Sequence, residues 1–171
     1  DMSCRRHDAL RVTRHLTSLS LAEATAAGTG IDQVQAVLDS YGTANGSDPP
    51  LQRENVFRSL ESLTQELDLL TDPLPAAYAR RILAELHLRA GDDADPELAA
   101  LLAERALETY GRVGFYEQEI EVLEVLARAH LLVTDLRSAH EEANRGLTIA
   151  QRIEDPLYES LFLRTLVRVA D

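Results

Sequence analysis

The segment LAELHL, beginning at Leu83, returns forty-three residues later as LARAHL, beginning at Leu126, with four of its six positions unchanged. The match continues past the motif. RAGD and ELAALLAERAL follow the first copy; LVTD and RSAHEEANRGL follow the second. Ala99, Ala103, Ala106 and Leu107 keep the spacing of Ala139, Ala143, Gly146 and Leu147, and the first copy carries three additional residues, DAD, in its turn. Without them the period is 40, and forty residues beyond Leu126 stands Leu166, in the weaker third copy TLVRVA. DPL at Asp72 and again at Asp155 lies eleven residues ahead of Leu83 and Leu166, respectively. A chain built from such a duplication is constrained to stack its units, because no single unit can bury its own apolar stripe.

The units themselves are helical. Ala9, Val12, Leu16 and Leu19 form one apolar stripe on a first helix, which AAGTG is expected to end near Gly28. Asp32 then opens a shorter helix carrying Val34, Val37, Leu38 and Tyr41. YGTANGSDPP, residues 41–50, is the one clear break, made of turn formers. Val56, Leu60, Leu63, Leu67 and Leu70 resume the pattern until TDPL, where Pro73 cannot continue a helix. Further helices are predicted over 74–90, 97–110, 115–133, 136–153 and 157–170, and nothing reads as a strand. The expected division is an N-terminal part, 1–50, that matches the repeat poorly, and a repeat region, 51–171. The units of that region fall at about 74–113, 114–153 and, in part, 155–171.

At 171 residues the chain is long enough to bury roughly 70% of its unfolded surface. A net charge of -12 argues against direct nucleic-acid binding, which needs a clustered basic face. Cys4 is the only cysteine, which points to a reducing, cytoplasmic setting. No apolar run approaches a membrane span, so no membrane role is expected. All seventeen basic residues are arginine, the side chain suited to bidentate recognition of carboxylates. Asp1 ahead of Met2 is what a piece of a longer protein would show.

Arg80-x2-Leu83-Ala84-x2-His87 with Ala99-x3-Ala103, and Leu123-x2-Leu126-Ala127-x2-His130 with Ala139-x3-Ala143 and a late Pro156, resemble the tetratricopeptide pattern. The aromatic anchors are missing, alanine replaces the glycine and histidine replaces the tyrosine. The period of about 40 is similar to that of the longer-helix variants in bacterial signalling ATPases and large transcriptional activators. The resemblance covers residues 51–171. It implies stacked antiparallel helix hairpins forming a short right-handed α-solenoid, in which the first helix of each pair lines the concave side. Counted from Leu83 and Leu126, that side carries Tyr78, Arg81, Glu85 and Arg89 from the first unit. The second contributes Glu121, Glu124 and Arg128, and the third Arg164 and Arg168.

Other chemistry-bearing groups read as structural. His87 and His130 take the place of a packing tyrosine, each half-buried with one nitrogen satisfied. GDDADPE, residues 91–97, is similar to the acidic metal-binding box of isoprenoid-processing helical enzymes, but it sits in a turn, and no second box follows. Asp95 there is expected to cap the next helix, with Pro96 at its first position. Cys4, His7 and His15 make a poor metal set. No phosphate loop, dinucleotide fingerprint or nucleophile elbow is present. The expectation is therefore a protein that is not an enzyme and holds neither cofactor nor metal. It would be a protein- or peptide-interaction module of a larger cytoplasmic bacterial regulator, with a homodimer as one possible assembly. The alternative is a small-molecule effector-sensing helical domain of a transcriptional regulator, which would need a deep closed pocket. A helical-bundle enzyme is the third reading.

Overall fold

A computed structural model describes residues 28–43, 49–90 and 94–170. Every regular element in them is an α-helix: α1 Gly28–Thr43, α2 Pro49–Leu67, α3 Leu74–Leu88, α4 Pro96–Val113, α5 Tyr116–Leu132, α6 Leu136–Arg152 and α7 Pro156–Ala170. The predicted helix over Ala9 to Leu19 lies outside the described residues.

The helices start and stop for local reasons. Asp95 accepts from the Leu98 backbone N–H at 2.9 Å and Asp135 from that of Ser138 at 3.1 Å, each satisfying a free donor of a first turn. Asp155 does the same for Leu157 at 2.9 Å, and Pro96 opens α4 as expected. At the other ends, Gly114, Thr134 and Glu154 each take up positive φ. The amide of the following residue then donates back to Tyr110, His130 and Ala150 in turn, at 3.2, 2.9 and 3.0 Å, the closure of a Schellman turn. These three turns recur every twenty residues, which is half of the sequence period.

Burial repeats as well. The pattern over residues 101–110 returns position for position over 141–150, with Ala103, Ala106, Thr109 and Tyr110 buried in one stretch and Ala143, Gly146, Ile149 and Ala150 in the other. Consecutive described helices pack against one another, and α1–α3, α3–α5 and α5–α7 touch in addition. Three core clusters follow in order. Val34, Leu60, Ile82 and Leu83 belong to the first. Ala84, Ala103, Val125 and Leu126 belong to the second, and Leu123, Ala127, Ala143 and Phe162 to the third. Thus α3 and α5 each serve two clusters. Ala84 and Ala127, equivalent in sequence, both contribute to the cluster shared with the following helices.

Helices α6 and α7 approach closely at Gly146. A Cβ on Gly146 would meet the Phe162 ring at 2.2 to 2.6 Å, so only glycine fits. Two sequence expectations need correction in the N-terminal part. The helix expected to open at Asp32 already runs from Gly28 as α1, and Gly30, expected in the turn before it, packs closely against Pro75 and Leu67. The break at 41–50 is also shorter than expected. α1 runs to Thr43 and α2 starts at Pro49, because proline in a first turn forfeits no helical hydrogen bond.

Candidate functional site

The polar residues predicted for the inner side of the first helices divide into three groups. The first is a buried cluster joining α3 to α5. Arg81 is 1% exposed. Its Nε lies 3.3 Å from Glu121 Oε2, its Nη1 3.7 Å from Glu85 Oε2, and its guanidinium sits 5.2 Å from the centre of the Tyr78 ring. Arg89 closes the chain of charges through Glu85. Nε and Nη2 of Arg81 make no hydrogen bond of good geometry among the described residues.

The electrostatics of this cluster are those of a compensated interior. Burial disfavours the Arg81 charge, yet Glu121 and Glu85 outweigh it and hold the guanidinium's pKa above its ordinary value. Burial likewise raises the Tyr78 phenol, only partly offset by the neighbouring Arg81. The phenol stays neutral at physiological pH.

The second group is the pair Glu124 and Arg128 on α5, joined at 3.2 Å, with the carboxylate buried and the guanidinium half-buried. The third is Arg164 and Arg168 on α7. Both are exposed and have no ion-pair partner among the described residues. They edge a shallow groove of about 560 Å³ with Pro156, Glu159, Leu163 and Val167. Leu163 is 46% and Val167 61% exposed.

The expectation of one open, charged groove along α3, α5 and α7 therefore does not hold for its first two helices. α3 is enclosed by α1, α2, α4 and α5, and α5 by α3, α4, α6 and α7. Tyr78, Arg81 and Glu124 are buried, Glu85 and Glu121 nearly so, and Arg89 and Arg128 answer to neighbouring carboxylates. A signal for this was present in the sequence. Arg81 and Glu85 in α3 correspond in sequence to Glu124 and Arg128 in α5, with the signs reversed. When stacked helices carry opposite charges at matched phases, the charges can pair with each other instead of with a ligand.

The two equivalent histidines have diverged. His130 places Nδ1 2.7 Å from Glu142 Oε2, across α5 and α6. Burial raises the Glu142 carboxyl, opposed by His130. His87 has its ring 4.6 Å from that of Phe57, and its buried Nε2 has no hydrogen-bond partner among the described residues. Burial lowers its pKa, against the pull of Asp95 and Glu61. Sequence reasoning also missed Glu119 of α5, buried and paired with Arg145 of α6. Of the remaining candidates, Asp95 is the cap of α4, while Cys4, His7, His15 and residues 91–93 lie outside the described residues. No described helix is long and apolar enough to cross a membrane. No protein-family model matches the chain, and none of the curated proteins compared with it does.

Proposed function

We propose that the protein is a non-catalytic protein- or peptide-interaction module, a short right-handed α-solenoid of the tetratricopeptide kind within a larger cytoplasmic regulator. The twenty-residue recurrence of the turns and the contacts between alternate helices support the solenoid. A stack of this kind offers broad faces rather than a reaction centre.

One observation carries the functional part. The groove on α7 combines exposed Leu163 and Val167 with Arg164 and Arg168, two cations with no partner among the described residues. Exposed apolar side chains rimmed by unspent charge are the usual make-up of an interaction surface. A partner with carboxylates along one edge would meet these arginines through charge-assisted hydrogen bonds. The binding role predicted for the whole inner side is thereby reassigned to its last helix.

The test is a pull-down from source-cell extract, comparing the wild type with the Arg164→Ala/Arg168→Ala double variant. Because both side chains are exposed, the variant should melt like the wild type while losing partners the wild type retains. An identical set of partners on both baits would refute the assignment.

A further inference from the structure

His87 and His130 are equivalent in the repeat, but only one of them has an answering carboxylate. His130 meets Glu142 of α6. Counted back by the 40-residue period, the place of Glu142 is taken in α4 by Leu102, next to Ala103 as Glu142 is next to Ala143. Leu102 is partly buried and packs against both the first and the second core cluster. The pair that ties α5 to α6 is therefore missing between α3 and α4 for a reason written in the sequence. It leaves His87 with a buried Nε2 that has no hydrogen-bond partner among the described residues.

The surroundings of His87 do not make up for the loss. Phe57 of α2 sets its ring against the imidazole at an interplanar angle of 50°. The charged groups that reach His87 among the described residues are Glu61 of α2 and Asp95 at the start of α4; α1 and α5 send none. Asp95 is already engaged by the Leu98 amide. The pull of the two carboxylates is weaker than the desolvation that opposes a charge here.

A proton on this ring is hydrated only if a neighbouring helix moves. α4 is fixed between α3 and α5, with Ala103 and Ala106 fully buried. α2 is held less firmly, since its main packing among the described helices is against α1 and α3. We propose that α1 and α2 form an acid-released element, in which protonation of His87 favours a state with α2 lifted from α3. The closed state holds a neutral imidazole and the open state hydrates an imidazolium, so opening takes up a proton. The closed state is fully favoured above about pH 6.5 and loses ground as the pH falls through that value. Opening uncovers Val56, Leu60, Ile82 and Leu83, which the closed state buries in one cluster. The α5–α6 hairpin has no such response, because a protonated His130 keeps Glu142 as its counter-ion.

Hydrogen–deuterium exchange of the full chain, read by mass spectrometry at about pH 7 and about pH 5.5 and corrected for the intrinsic pH dependence of amide exchange, measures the opening. Protection of the α2 amides should fall several-fold at the lower pH. The limit is about eight-fold, reached by an imidazole that stays neutral when closed and titrates near 6.5 when open. Amides of α5 and α6 should keep their protection. His87→Phe should abolish the change, and His140→Ala, on the exposed side of α6, should leave it intact. If His87→Phe does not fold, His87→Leu repeats the test with a smaller side chain. Equal protection of α2 at both pH values, a fall that persists without His87, or a fall shared evenly by α4 to α7 would each overturn the inference; the last would mark a loss of global stability and not the release of one element.

Discussion

Replacing Arg81 with methionine tests whether the polar residues of α3 and α5 hold the stack together or wait for a ligand. Methionine keeps most of the length and apolar stem of arginine and removes the charge. The carboxylates of Glu85 and Glu121, each with side chains 12% exposed, would then lose the cation lying 3.7 and 3.3 Å away. Breaking a buried ion pair from one side costs about 3–5 kcal/mol, because the remaining charge stays desolvated. Arg89 still reaches Glu85, and both carboxylates keep some contact with water. The expected loss is therefore at the low end, about 3 kcal/mol, most of it arising at Glu121.

Urea unfolding followed by circular dichroism measures this directly. For a domain of this size the same loss lowers the melting midpoint by about 6–12 °C. Adding Glu121→Gln to Arg81→Met should recover a large part, since the amide carries no charge to strand. Arg137→Ala is the control, its side chain being 88% exposed in an i,i+4 pair with Glu141; it should cost under about 0.5 kcal/mol. An Arg81→Met variant within about 1 kcal/mol of the wild type would refute the reasoning. It would mean that Arg81 is solvated and that the open inner groove exists after all.

Two further outcomes follow from the packing and from His87. Gly146→Ala should destabilise by about 1–2 kcal/mol, because overpacking against Phe162 outweighs the gain in helix propensity; adding Phe162→Leu should cost less than the two changes summed, and a raised melting point would contradict the close α6–α7 approach. The folded-state pKa of His87 is lowered, so the unfolded chain binds the extra proton, and stability is full above about 6.5 and falls as the pH drops through and below that value. A His87→Phe variant should lose less stability than the wild type between about pH 7 and pH 5 in parallel urea titrations, and equal losses would show that His87 is not held neutral by burial.

The repeat made most of the fold legible, because it is written in residues with a single structural use. Ala103 and Ala143 can only mark close helix approaches, and Asp95, Asp135 and Asp155 each cap a helix where the spacing puts one. The starts of α4, α6 and α7 follow from these aspartates. Around Gly30 and Pro49 the sequence misled, since glycine and proline each have two uses. Gly30, expected in the turn before Asp32, lies within α1 and packs against Pro75, and Pro49 opens a helix rather than extending a loop. The choice depends on a neighbour that is distant in sequence.

The site was legible in position and misread in exposure, for a reason that bears on its function. Helical phase placed Tyr78, Arg81, Glu85 and Glu121 on one side correctly, and the Arg81 cluster unites them. Phase fixes a direction on a helix, but solvent access depends on how many neighbours surround it, and α3 and α5 have four each. Of the three helices α3, α5 and α7, only α7 stands at an end of the described stack, contacted by α5 and α6, and only there do the side chains at the same phases keep their charges unspent. The same residue types therefore perform opposite tasks: Arg81 fixes one helix to the next, whereas Arg164 and Arg168 remain available to a partner.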